Sequence, residues 1–270
     1  MIIHSDKNLS QKIEATEGGV SAEFCRSRAR LEPGCGSTAE RIGGAFAMFD
    51  GPDSPLTQTF GLGMFEDADE QALESIENFF ISRGADVFHE VSPLADPNLL
   101  AMLVGRGYQP IELSTVLIKP LAGYSAIANQ TVQTRVVQTE EAELWAKTSA
   151  RAWSNEMPEL GDFMLNYGTI SAHGEGAFPF LAEIDEEPVA TGMLYIVGDM
   201  AFLAGASTVP EARKRGAQTA LLNDRLAFAI EQGCAFAMMG AAPGSQSQRN
   251  AEKNGFRVAY TRTKWMLGRT

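Results

Sequence analysis

Ala201-Phe-Leu-Ala-Gly-Ala-Ser-Thr-Val-Pro-Glu-Ala-Arg-Lys-Arg-Gly-Ala-Gln-Thr-Ala-Leu-Leu222 is the stretch from which the rest of the chain can be read. Met200 to Val209 is short, apolar and rich in small residues, which predicts a strand, and Pro210 has no N–H with which to continue a central ladder. From Ala217 to Ile230 the apolar positions Leu222, Leu226, Ala229 and Ile230 recur at helical spacing, and Gly233 supplies the stop. Between strand and helix lies Glu211-Ala-Arg-Lys-Arg-Gly216. Its glycine lets backbone approach a ligand closely, and the helix start behind it presents unpaired N–H donors at the positive end of the helix dipole. Together with the adjacent cations this makes an anion cradle suited to bridged phosphates. The same three cations also suit a solvated charged turn.

Composition narrows the partners. The chain has 270 residues, 44% of them hydrophobic, enough for one large core or two of ordinary size, and two is the reading adopted. With 22 basic against 34 acidic residues the net charge is -12, which argues against nucleic acid or an anionic membrane as the main partner and mildly favours a cationic acceptor such as an amine. Cys25, Cys35 and Cys234 are odd in number and sit at no metal-ligand spacing, so neither a disulfide framework nor a metal site is expected. The N-terminus lacks an apolar core of signal-peptide length, and no run of about 18 apolar residues occurs, so a cytoplasmic location is expected.

Taken in order, Leu9 to Arg30 predicts a helix that Gly18-Gly19 can break. Arg41 to Phe49 and Gln58 to Phe65 predict an antiparallel pair around Asp50-Gly-Pro-Asp53. Asp67 to Arg83 reads as an amphipathic helix, Val87 to Val91 as a strand, Asp96 to Gly105 as a helix and Ile111 to Ile118 as a strand; Leu73, Ile76, Phe80, Leu99, Leu100 and Leu103 are the expected core. Leu121 to Gln133 looks like a connection between domains 1–122 and 133–270. A second cycle follows. Thr134 to Val137 is a strand and Glu140 to Trp153 a helix, while Pro158 to Gly176 has no clear reading beyond helix and loop. Phe178 to Ile184, Val189 to Val197 and Met200 to Val209 are three strands joined by turns. After the helix come a strand from Cys234 to Ala241, a short helix around Ser247 to Asn254, and two closing strands, Arg257 to Tyr260 and Thr263 to Leu267.

The cycles repeat each other. Helix, glycine, strand, proline, helix and Gly-aromatic recur, with 23 positions from Gly84 to Gly107 and 22 from Gly233 to Gly255. They differ where the cradle lies, because Gly63-Met-Phe-Glu-Asp-Ala-Asp69 puts acidic groups where a pyrophosphate would sit.

The order Val209-Pro-Glu-x-Arg-x-x-Gly216 resembles the acetyl-coenzyme-A signature of the GNAT acetyltransferase superfamily: Arg or Gln, two residues, Gly, one residue, then Gly or Ala. Arg213 and Gly216 match, and Gln218 departs from the last position. No P-loop and no strand followed by G-x-G-x-x-G competes with it. The resemblance implies an α/β fold (α+β, mixed sheet) built as two tandem GNAT-like acyltransferase domains, the first a degenerate copy without the cofactor loop. It implies about seven strands per domain, splayed between the fourth and fifth. Acetyl-CoA is the implied cosubstrate, its pantetheine along the strand ending at Thr208 and Val209 and its pyrophosphate on Arg213, Lys214, Arg215, Gly216, Ala217 and Gln218. Asn250 stands where family members contact the coenzyme arm, and also suits a capping or solvated role.

The implied reaction is direct attack by a primary amine of a small molecule or peptide on the thioester. It needs a base, an oxyanion donor, expected to be the backbone N–H near Val209, and an acid for the thiolate. The tyrosine that many relatives place four residues before Gly-Phe is here Ala251. A thiolate leaves readily even so, and Tyr260, Tyr195 and Ser247 are substitutes, Tyr260 first. Glu183 is the leading base, with Glu156 and His173-Gly-Glu175 behind it, while Trp153 and Tyr167 stand where the family builds its acceptor wall. A non-catalytic acetyl-CoA-binding module is the alternative from another functional class, and the missing tyrosine is what favours it.

Overall fold

The computed structural model describes residues 4–125, 131–154 and 161–268. In chain order the elements are α1 (Lys7–Leu31), β1 (Thr38–Ile42), β2 (Ala45–Phe49), β3 (Gln58–Phe60), α2 (Glu70–Ile81), β4 (Val87–Val91), α3 (Leu99–Gly105) and β5 (Gln109–Pro120). They continue with β6 (Gln133–Val136), α4 (Ala142–Ser154), α5 (Gly161–Ala172), β7 (Ala177–Ile184), β8 (Glu187–Val197), β9 (Met200–Thr208), α6 (Ala217–Glu231), β10 (Phe236–Ala241), α7 (Gln246–Lys253) and β11 (Arg257–Leu267). The result is a mixed α/β fold, and the chain forms two compact units, Met1–Lys119 with Gly240–Thr270, and Pro120–Met239.

That division corrects the expected boundary. Residues 240–270, assigned from sequence to the second domain, join the first unit because β11 is hydrogen-bonded antiparallel to both β4 and β5, with Trp265 opposite His89 and Arg262 opposite Ser114. The two closing strands are one, carrying irregularities between Val258 and Tyr260 and between Lys264 and Trp265. The strand order is β1-β2-β3-β4-β11-β5 in the first unit and β10-β9-β8-β7-β6 in the second. Among the described residues six and five strands replace the roughly seven expected for each.

In the first unit, Gly43 and Gly44 (φ 53° and 72°) make a two-residue turn that splits the expected Arg41–Phe49 strand into the β1/β2 hairpin. The antiparallel β2/β3 pair is as expected. α1 runs unbroken through Gly18-Gly19 because Gly18 is a contact position: a Cβ there would lie 2.5 Å from the Phe46 ring. α2 and α3 bury Leu73, Ile76, Phe80, Leu99 and Leu103 against Val87, Val91 and Trp265, whereas Leu100 is half exposed and outside the core.

The second unit is a meander of β6, β7, β8 and β9, all antiparallel, joined by β10 running parallel to β9. Asp185 and Glu186, both at positive φ, close the β7/β8 hairpin. Phe228 of α6 packs on Phe178 and Phe180 on one face. Trp145 of α4 is buried near Met193 and Gly205, and its indole donates to the Phe180 carbonyl. The stretch without a clear reading contains α5, whose Gly168 lets it approach Ala146 of α4. Both units contain the same strand-helix-strand crossover, β3-α2-β4 and β9-α6-β10, each ending in a parallel pair.

Candidate functional site

β9 begins in regular register with β8 and then departs from it. Met193 faces Ala204 and Thr191 faces Ser207, so Gly205 and Ala206 together oppose Gly192. Gly205 adopts φ 59°, the glycine-favouring conformation that such a bulge requires. On the other side the pairing of β10 with β9 runs from Met200↔Phe236 to Phe202↔Met238, leaving Leu203 to Thr208 beyond the parallel ladder. A strand bulged on one side and unpaired on the other offers backbone groups to an extended ligand.

The loop that follows has the geometry its sequence asked for. Pro210–Ala212 forms a single 3-10 turn, Lys214 sits at φ 62°, and Gly216, at φ 88°, stands at the N-cap of α6 with no side chain capping the helix. The first-turn N–H groups of α6 therefore face outward without a capping partner, beside three exposed cations, Arg213, Lys214 and Arg215. Arg213 Nε reaches the Thr208 carbonyl at 3.4 Å, and Arg215 lies 3.5 Å from Asp185 in an exposed pair of little strength. The residues present fit a diphosphate: donors, a dipole end and cations converge on one loop.

Two details differ from expectation. The Gln218 side chain turns toward the strands and donates to the Ser207 carbonyl (2.6 Å) and the Thr208 hydroxyl (2.9 Å), so only its backbone N–H is left for a ligand. The Val209 N–H is spent on the Val189 carbonyl at 2.9 Å and is not an available oxyanion donor.

The candidate acids and bases are scattered. Glu183 accepts from Arg135 (3.2 Å), which also holds Glu141 and which these two carboxylates keep raised above its ordinary pKa. Tyr195 is buried on β8, stacked at 6.1 Å on Phe202, and burial pushes its hydroxyl far above the usual range. His173, one residue past the end of α5, donates Nδ1–H to the Thr169 carbonyl of that helix (2.8 Å). Glu156 lies outside the described residues. Trp153 has a buried indole nitrogen without a hydrogen-bond partner among the described residues, and Tyr167 stacks on Phe163.

Tyr260, Ser247 and Asn250 belong to the first unit, apart from the one that holds Arg213 to Gln218. Tyr260 is a buried donor to Glu14 (2.7 Å), and burial together with that carboxylate raises its pKa far beyond any value useful to a general acid at neutral pH. Asn250 lies inside α7, where its side chain accepts from the Gln246 amide (2.7 Å) and its backbone carbonyl accepts from Asn254; the residues that cap this helix are Ser245 and Asn254.

The first unit's own loop between β3 and α2 is filled from within. The Ala68 N–H donates to the Asp96 carboxylate (3.2 Å), the Asp69 side chain caps the Ala72 N–H (2.7 Å), and the Gly63 and Met64 carbonyls accept from the Asp96 N–H and the Gln11 amide. Carboxylates occupy the donors that an incoming anion would need.

Sequence reasoning missed Arg225. It is 3% exposed on α6 and donates to the carbonyls of Leu221, Met193 (3.0 Å) and Ala204 (3.3 Å). Its signal was its place between Leu221 and Ala229 on the buried stripe of the helix, where an arginine is out of character.

Residues 139–256 match the model of the acetyltransferase (GNAT) family. No curated protein matches the chain. Among solved structures, it is similar to a GCN5-related N-acetyltransferase from Kribbella flavida (TM-score 0.64, 18% identity, 92% of this chain and 94% of that one). A tandem GNAT protein from the clavulanic acid biosynthesis pathway is also similar (0.62, 12%, 98% and 96%), as is a GCN5-related N-acetyltransferase from Sphaerobacter thermophilus (0.55, 13%, 97% and 92%). At these identities the likeness is one of fold, and the fold is that of GNAT structures. Among the described residues no helix is long and apolar enough to cross a membrane, and no cluster suited to a metal ion occurs.

Proposed function

We propose that the chain is an acetyl-CoA-dependent N-acetyltransferase acting on a primary amine of a small molecule or peptide. The observation that carries this reading is the union, within the second unit, of a strand open from Leu203 to Thr208 and an uncapped helix start behind Gly216. Leu203 to Thr208 would hold the pantetheine arm, and the N–H groups of Arg213 to Gln218 with the side chains of Arg213, Lys214 and Arg215 would hold the pyrophosphate. The coenzyme supplies an activated acetyl thioester; the chain supplies orientation and an environment in which a neutral amine attacks. We read the two repeats as a duplicated pair in sequence, 1–122 and 133–270, whose second member gives residues 240–270 to the first unit, and in which the first binds no coenzyme because Asp96 and Asp69 already hold its loop amides.

The second reading, an acetyl-CoA-binding module without catalysis, is favoured by specific observations. Ala251 replaces the expected acid, the Val209 amide is engaged, and Glu183 is tied to Arg135. One experiment separates the two. Acetyl-CoA is titrated into the full chain by calorimetry, and free thiol is then followed over a panel of amines. An enzyme binds one equivalent and releases thiol above background with some amine; a module binds and releases none. Absence of binding overturns both readings.

A further inference from the structure

We propose that Arg225 is a positioning residue, whose buried guanidinium holds the β8/β9 bulge in place and thereby keeps the Leu203–Thr208 run of β9 shaped for its ligand. This rests on the reading of that run as the coenzyme strand.

The guanidinium is inside the second unit, and among the described residues no carboxylate pairs with it; burial alone lowers its pKa, to about 10. An unpaired buried cation is unfavourable, and a fold that needed only packing would do better with an apolar side chain of the same length. What the cation meets instead is backbone. Nη1 lies between the carbonyls of Met193 on β8 and Ala204 on β9, the last facing pair before Gly205 and Ala206 bulge out. Nε is anchored on the Leu221 carbonyl of its own helix. Beside a bulge the ladder is locally disrupted, and a planar donor set on a rigid helix ties together the two strands at its edge. Gly192, opposite the bulge, is part of the same arrangement. A Cβ there would lie 2.7 Å from Arg225 Cζ, so the guanidinium stacks directly on bare β8 backbone.

The test uses the full-length chain with Arg225→Met, which keeps length and apolar packing and removes the donors. Urea unfolding establishes that the variant folds, amide exchange by mass spectrometry reads the strand, and calorimetry reads coenzyme A affinity. The expected result is roughly tenfold faster exchange across residues 203–208 than in the wild type, without a matching change across 178–181, and a Kd for coenzyme A weaker by roughly tenfold. Arg225→Lys recovers part of both, because an ammonium still reaches one carbonyl. Should Arg225→Met fail to fold, Gly192→Ala, which displaces the guanidinium without deleting it, is read the same way. Wild-type exchange and affinity in a folded variant overturn the proposal, as does an acceleration spread evenly over the whole unit. A wild-type chain that binds no coenzyme A overturns the proposed function instead, and the exchange comparison then decides the role of Arg225 by itself.

Discussion

Glu14 near the start of the chain and Arg262 near its end pair at 2.8 Å with both side chains out of water. Tyr260 donates to the same carboxylate oxygen, and Arg262 also holds Glu17 at 2.6 Å. Burial works to lower the arginine's pKa, but the two glutamates outweigh it and hold the guanidinium charged; burial raises Glu14, and Arg262 offsets that in part. Helix α1 is thus latched to strand β11 by a desolvated ionic cluster.

Removing one partner of such a pair strands the other. Arg262→Met and Glu14→Gln are each expected to lower unfolding free energy by about 3–5 kcal/mol, while the double variant Glu14→Gln/Arg262→Met loses less than their sum. Urea denaturation of the four proteins checks this, and strictly additive losses would show that the pair is not coupled.

Gly216→Asp is expected to weaken coenzyme A binding at least about thirtyfold, through a carboxylate beside the pyrophosphate. The left-handed conformation of Gly216 costs an aspartate about 1 kcal/mol of stability, so the fold survives. Gly216→Asn carries the same backbone strain without the charge, and calorimetry should find it much the better binder. Equal affinities in the two variants would mean that no phosphate sits at the loop.

His89 and Glu90, neighbours on β4, give stability opposite pH dependences. Burial lowers His89 to about 3, so its contribution is full above the unfolded value of 6.5 and lost as pH falls toward 3. Burial raises Glu90 to about 7, so its contribution is full below 4.5 and lost as pH rises through 7. Between these limits the slopes, each about 1.4 kcal/mol per pH unit, oppose one another. Relative to wild type, Glu90→Gln should therefore be less stable at pH 5 than at pH 7, and His89→Gln more so at pH 7 than at pH 5. Urea midpoints at the two pH values decide it; parallel shifts would mean that neither group is perturbed.

A fragment beginning at Gln133 keeps β11 but deletes β4 and β5, the strands on either side of it. It is expected to be aggregated or partly unfolded by size-exclusion chromatography and circular dichroism, because an eleven-residue strand is left with two open edges. A monomeric fragment with full coenzyme affinity would show that β11 has another home.

Local chemistry was legible and long-range pairing was not. The β7/β8 turn, the stop at Pro210 and the α6 start behind Gly216 are written in neighbouring residues. The Gly43-Gly44 turn was equally local, but the apolar residues after it masked it inside one extended run. Nothing near Arg257–Leu267 indicates partners 139 to 180 residues earlier, since a strand's alternation specifies a face and not a neighbour. In the site, the loop cations and glycine were readable from their types, whereas the engagement of Gln218 and Val209 depends on how β8 and β9 are offset.

The placement of β11 also sets an order of events during synthesis. Residues 120–239 are contiguous and can complete their contacts while the chain is still being made, but the unit that contains the N-terminus cannot close until its last strand has left the ribosome. The unit begun first is therefore the unit finished last, and until β11 emerges β4 and β5 have the gap between them open, with unpaired strand edges exposed to association.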